Sequence, residues 1–153
     1  MDKKFLVSVI GGHKCSREVA LLAEKVGETI ASQGAVLVCG GLGGIMEAAC
    51  RGAKKAGGLT MGIIPGEDKK KANEFVDIVV PTGMGYSRNT LVAGTADLVV
   101  ALPGEYGTLS EISFALIGGK PVYGFNTWEI EGVKPLDDTD QLKDIISGLV
   151  TSR

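Results

Sequence analysis

A doubly wound parallel α/β sheet is the fold class this sequence predicts, on three observations. Strand-like and helix-like segments alternate along the whole chain. The strand-like segments are continuous apolar runs rather than alternating ones, which implies burial on both faces between layers of helices. Glycines gather just after those runs, where strands end in tight turns. There are 23 in 153 residues, about twice the usual share of roughly 7%. Right-handed crossovers between such strands give a three-layer, Rossmann-like sheet. A single domain over residues 1–153 is expected, long enough for a core of ordinary size.

The elements follow in order. Phe5 to Ile10 is apolar and β-branched, hence a strand. Gly11-Gly12-His13-Lys14-Cys15-Ser16 is a loop in which Ser16 suits a helix N-cap. Val19, Leu22, Ala23, Val26 and Ile30 recur at helical spacing, and Gly34 suits the helix end. Ala35 to Cys39 is the second strand, followed by Gly40-Gly41-Leu42-Gly43-Gly44 and a helix from Ile45 to Ala56. Leu59 to Ile64 is the third strand, ended by Pro65, and the polar segment Gly66 to Glu74 reads as a mobile loop. Phe75 to Val80 is the fourth strand, Gly83 to Ser87 a loop, and Arg88 to Thr95 a helix. Val99 to Leu102 is the core of the fifth strand, Thr108 to Ile117 a helix, and Pro121 to Phe125 the sixth strand. Trp128 to Asp138 reads as irregular. Asp140 to Val150 closes the chain as a helix with Leu142, Ile145, Ile146 and Leu149 on one face.

Composition narrows the function classes. The formal net charge is -2 and no clustered basic excess is present, so a nucleic-acid surface is not expected. Lys69-Lys70-Lys71 lacks aromatic interleaving and reads as a solvated loop. Cys15, Cys39 and Cys50 are odd in number and have no CxxC spacing, which argues against a disulfide framework or a zinc site and for a reducing compartment. His13, the one histidine, has no ligand cluster around it, so no metal is expected. The apolar run near the N-terminus stops at Ile10, and no segment approaches the roughly 20 apolar residues of a membrane span. A cytoplasmic protein without membrane contact is the expectation.

The candidate site lies at the strand ends. In an open parallel sheet, ligands bind outside the carboxyl ends of the strands. Three glycine junctions fall there: Gly11-Gly12, Gly40 to Gly44, and Pro103-Gly104-Glu105-Tyr106-Gly107-Thr108. Each lets backbone amides approach an anion at a helix start. None is a G-x-G-x-x-G fingerprint or a Walker A motif, so neither a dinucleotide fold nor a P-loop is expected. Two carboxylates, Glu47 and Glu111, fall in first helical turns. Thr108-Leu109-Ser110-Glu111 also reads as a capping box, in which Glu111 serves the helix start rather than a ligand. Arg88 stands at a helix start, where a cation opposes the dipole, so a phosphate or the Glu111 carboxylate is the expected partner. His13 sits beside the first junction, within reach of a ligand there.

Gly40-Gly41-x-Gly43-Gly44-Ile45-Met46-Glu47-Ala48, Gly62-Ile63-Ile64-Pro65, Gly83-Met84-Gly85-Tyr86-Ser87-Arg88-Asn89 and Pro103-Gly104-x-x-Gly107-Thr108-x-x-Glu111 resemble the Lonely Guy-like superfamily, across nearly the whole chain. That resemblance implies a Rossmann-like nucleotide-binding protein. Its cytokinin-activating members are phosphoribohydrolases that cleave the N-glycosidic bond of nucleoside 5′-monophosphates. Their motif P-G-G-x-G-T-x-x-E has a catalytic Glu that matches Glu111, and an Arg of the same site matches Arg88, so the resemblance implies both as catalytic residues. The glycine junctions and these motifs together make Gly11, Gly12, His13, Gly40, Gly41, Gly43, Gly44, Met84, Arg88, Asn89, Pro103, Gly104, Gly107 and Thr108 the expected ligand contacts.

The chain departs from that pattern at Glu105, where the family has glycine, and at Asn89, where it has lysine. Both changes lower the positive potential. The Arg88-Asn89 pair is more similar to a branch of short bacterial proteins and to the molybdenum cofactor carriers. The resemblance thus implies a bound nucleotide or a molybdopterin-type ligand, no required cofactor, and a homo-oligomer, dimer or tetramer. Many relatives carry the label lysine decarboxylase, but no lysine here is identifiable as one that would hold pyridoxal phosphate.

Overall fold

The computed structural model describes residues 1–153. Seven strands form one parallel sheet: β1 (Leu6–Ile10), β2 (Val36–Cys39), β3 (Thr60–Ile64), β4 (Ile78–Pro81), β5 (Leu98–Ala101), β6 (Val122–Gly124) and β7 (Val133–Pro135). Their order is β4-β3-β2-β1-β5-β6-β7, with every neighbouring pair parallel. The helices are α1 (Arg17–Ser32), α2 (Ile45–Lys55), α3 (Asn89–Thr95), α4 (Tyr106–Ile117) and α5 (Thr139–Thr151).

The predicted apolar runs β1, β2 and β5 are the buried centre of the sheet, and adjacent residues in each point to opposite layers. Val7, Leu37, Cys39, Leu98 and Val100 pack with α1, α2 and α5. Ile10, Val38, Val99 and Ala101 pack with α3 and α4. Ser8 is the polar exception on that second face, and its hydroxyl donates to the Val92 carbonyl at 2.7 Å.

Helices α1 and α2 cross at backbone contact. A Cβ on Gly27 would lie 1.9 Å from the Ala49 carbonyl oxygen, and one on Gly52 would lie 1.8 Å from that of Glu24. Ser16 caps α1 as expected, its hydroxyl accepting from the Val19 amide at 3.2 Å. No helix is long and apolar enough to cross a membrane.

Two expectations need correction. The segment from Trp128 to Asp138 contains a seventh strand. β7 is three residues long, lies at the sheet edge and is mostly exposed, so it carries no apolar run. The loop from Gly66 to Glu74 holds an exposed 3₁₀ turn at Lys69–Lys71 and is fastened at its end by Asn73, whose amide donates to the Gly41 carbonyl at 2.9 Å and whose side chain donates to that of Leu42 at 2.9 Å. The capping box does not form. The Leu109 amide bonds the Glu105 carbonyl at 3.0 Å, so α4 starts at Tyr106 with Glu105 at the N-cap. Glu111 therefore falls in the second turn, buried and free of any bond to Thr108.

Candidate functional site

Chain order reverses between β1 and β5, whose crossovers run to opposite sides of the sheet. Gly12, just past β1, joins the three junctions there. Its amide donates to the Pro103 carbonyl at 3.0 Å, and its carbonyl accepts from the Ile45 amide at 3.1 Å. Two close approaches complete the join. A Cβ on Gly44, the N-cap of α2 at φ +64°, would lie 2.5 Å from the Gly12 carbonyl oxygen. One on Gly104 would lie 2.0 Å from the Thr108 hydroxyl and 3.0 Å from the Gly12 amide nitrogen. Only glycine fits at either point.

Neither α2 nor α4 has a side chain capping its N-terminus; Ile45 spends its amide on Gly12, and the next amides of α2 and the first-turn amides of α4 keep free N–H groups. Such amides, at the positive end of a helix, attract an anion.

Arg88 is buried at 7% exposure, against the alternative of a surface arginine. It ends a 3₁₀ turn, Gly85–Arg88, and stands at the N-cap of α3. Nε donates to the Ile63 carbonyl at 2.9 Å, Nη2 to that of Gly40 at 3.3 Å, and Nη1 to Oδ1 of Asn89. Three of its five N–H groups are used, leaving two for a ligand. Asn89 in turn donates to the Ser110 hydroxyl at 3.1 Å, and that hydroxyl donates to the Gly107 carbonyl at 2.6 Å. Asn89 therefore bridges Arg88 to the first turn of α4.

Glu111 is 7% exposed, and burial and the field of Arg88, rather than any hydrogen bond, act on its carboxylate. Burial pushes its carboxyl up to about 8, and the nearby Arg88 cation only partly opposes that. The Arg88 guanidinium is itself lowered by burial, with Glu111 pulling the other way. The two groups feel each other's field but do not form an ion pair. At neutral pH the pair carries the arginine charge with a mostly protonated acid, an arrangement that attracts an anion and holds a donatable proton.

The remaining predicted residues divide. Gly11 packs against the Ile45 side chain, Gly41 and Gly43 continue the second junction, and Thr108 is buried against Gly104. His13 is exposed, and its carbonyl group lies against Gly44. Met84 is 44% exposed and Glu47 half-buried, and no side-chain hydrogen bond ties either to the junctions.

Sequence reasoning missed Ser110, although it lies inside the recognised motif. It also missed Trp128, whose indole N–H donates to the carbonyls of Gly104 at 3.1 Å and Glu105 at 3.3 Å. Nothing near Trp128 in the chain signals that contact.

A Rossmann-like α/β protein is thus defined, its glycine junctions joined at the switch point around a buried arginine and an unpaired carboxyl group. The chain matches the SLOG cluster4 family over residues 4–147 and belongs to that family. It is 45% identical over 120 residues to an uncharacterized protein of Archaeoglobus fulgidus, covering 78% of this chain and 79% of that one. It is 32% identical over 137 residues to the cytokinin riboside 5'-monophosphate phosphoribohydrolase of Mycobacterium tuberculosis, covering 87% and 72%. Among solved structures it is similar to the molybdenum cofactor binding protein of Rippkaea orientalis. The TM-score is 0.90 and the identity 32%, over 97% of this chain and 98% of that one. The Lonely Guy-like resemblance holds, on the side of the superfamily close to the molybdenum cofactor proteins.

Proposed function

We propose that this chain binds a nucleotide or another phosphate-bearing ligand over the junctions that follow β1, β2 and β5. The observation that carries this is the meeting, through Gly12, of two uncapped helix N-termini beside the fixed guanidinium of Arg88. Backbone N–H groups and two free guanidinium N–H groups suit a phosphate monoester. Glu111, protonated at neutral pH, adds no opposing charge.

Thermal denaturation with and without AMP, ribose 5-phosphate or inorganic phosphate tests the reading. Stabilisation by ligand is expected, and Arg88→Lys, which keeps the charge but loses the fork, should weaken it. No stabilisation by any phosphate-bearing compound would refute it.

Within that reading, hydrolysis of a nucleoside monophosphate is supported by likeness to the mycobacterial enzyme and by Arg88 and Glu111 in the motif positions. Water adds to C1′ of the ribose, the N-glycosidic bond breaks, and the base leaves with a proton. A carboxyl group raised to about 8 is a suitable donor of that proton. Incubation with AMP or N6-substituted AMP should then release free base and ribose 5-phosphate, and Glu111→Gln should abolish the release.

Carriage of molybdenum cofactor is supported by the likeness to the Rippkaea protein. It predicts molybdenum or pterin fluorescence in protein purified from a cofactor-producing host. We also propose a homo-oligomer, since Leu91 of α3 and Phe114 and Ile117 of α4 expose apolar surface. A monomer by light scattering refutes that.

A further inference from the structure

We propose that Ser110 is a positioning residue: acting through Asn89, its hydroxyl fixes the Arg88 guanidinium for a ligand oxyanion. The proposal rests on the phosphate-binding reading above and deepens it by naming what orients the cation. Ser110 lies inside α4, and its hydrogen bonds go to Asn89 and Gly107 rather than to Arg88.

Arg88 needs a third fixed point. Its bonds from Nε to the Ile63 carbonyl and from Nη2 to the Gly40 carbonyl hold one edge of the planar guanidinium. About that edge the group can still pivot. The bond from Nη1 to Oδ1 of Asn89 stops the pivot. One N–H then remains on each terminal nitrogen, and those two form the fork that grips an oxyanion at two points.

The orientation of the Asn89 amide follows from its neighbours. Arginine has no acceptor, so only Oδ1 can face Nη1, and Nδ2 must point away. Asn89 is 3% exposed, so water offers that Nδ2 no ready substitute. Ser110 supplies the acceptor. Its hydroxyl spends its single proton on the Gly107 carbonyl at 2.6 Å and meets Nδ2, at 3.1 Å, as an acceptor. Donation therefore runs one way, from Arg88 to Asn89 to Ser110 to the Gly107 carbonyl. An amide turned over would set N–H groups against the guanidinium.

Helix preference does not account for this serine, because a hydroxyl that bonds back to its own helix competes with the backbone. Ser113 makes the ordinary version of that bond, to the Leu109 carbonyl at 2.9 Å, and is exposed. Ser110 differs in taking a partner from α3. Both members of the relay are neutral, so Arg88 is held without its charge being cancelled.

Calorimetric titration of the whole protein with ribose 5-phosphate tests this. Ser110→Ala should weaken binding about 3- to 10-fold, the worth of one hydrogen bond. Ser110→Thr, which keeps the hydroxyl, should bind as wild type does, and Ser113→Ala should change nothing. Asn89→Ala should weaken binding at least as much as Ser110→Ala. Adding Ser110→Ala to it should cost nothing more, because the serine acts through the asparagine. In the ligand-free protein, nitrogen-15 NMR should show separate Arg88 Nη1 and Nη2 signals that merge in Ser110→Ala and not in Ser113→Ala. Equal losses from Ser110→Ala with and without Asn89 would make the serine part of α4 alone and overturn the relay, as would wild-type affinity in Ser110→Ala. Failure of ribose 5-phosphate to bind the wild type overturns the phosphate reading; the Nη signals then decide the relay, which unmerged signals in Ser110→Ala overturn.

Discussion

Replacing Glu111 with glutamine isolates the electrostatic state of the site, because the amide keeps the shape of the protonated acid and cannot ionise. In the folded protein burial holds this carboxyl up to about 8, against an ordinary value of 4.5. Between those two values the native state keeps a proton that the unfolded chain releases. Stability therefore falls as pH rises through that window, by up to about 1.4 kcal/mol per pH unit. It is flat below the window, where both states are protonated, and flat above it, where both are ionised. Across some 3.5 units the loss reaches about 5 kcal/mol, a large fraction of an ordinary domain's stability.

Glu111→Gln should lose this dependence. Urea denaturation of wild type and variant at about pH 5.5 and about pH 7.5 reads it. The variant's stability relative to wild type should rise by about 3 kcal/mol between the two. Titration of every other group cancels in that comparison when the sites are independent. A relative stability that stays constant across the range would show that Arg88 outweighs burial and that Glu111 is ionised at neutral pH, refuting the charge state assigned here.

Other outcomes follow from the same geometry. Ribose 5-phosphate affinity should fall as pH rises from about 7 to about 9, because ionised Glu111 repels the phosphate; a flat calorimetric profile contradicts this. Gly52→Ala places a methyl 1.8 Å from the Glu24 carbonyl oxygen, and should cost at least about 1–3 kcal/mol by chemical denaturation. Gly148→Ala, inside α5 where a Cβ meets nothing within 4 Å, should instead stabilise by about 0.5–1 kcal/mol and is the control. Thiol titration of the native protein should modify Cys15 first, with Cys39 and Cys50 reacting only on unfolding, since both are fully buried.

Most of the fold was legible because its signals are local. Apolar runs such as Phe5 to Ile10, and glycines directly after them, mark a buried parallel strand and its turn within a few residues. β7 was illegible for the converse reason: an exposed edge strand of three residues carries no pattern. At the site, Gly12, Gly44, Gly104, Arg88 and Glu111 were named from sequence, but the joining of the junctions through Gly12 was not, and the expected pairing of Arg88 with Glu111 is not a direct one. The Thr108–Glu111 spacing served a capping box and a catalytic carboxylate equally well. Only the start of α4 at Tyr106 excluded the capping box.

By itself, then, the sequence determined the layers, the parallel strands and the glycine junctions at their ends, since short-range sterics and periodicity suffice for those. Tertiary structure decided what the junctions do together. The strand order set Gly12 between Ile45 and Pro103, and brought Arg88 to carbonyls 25 and 48 residues away. It buried Glu111 enough for desolvation to outweigh the arginine, and it laid Trp128 against Tyr106. Each of these depends on which strands are neighbours, and hydrogen bonding between distant segments leaves no mark in the local residue pattern.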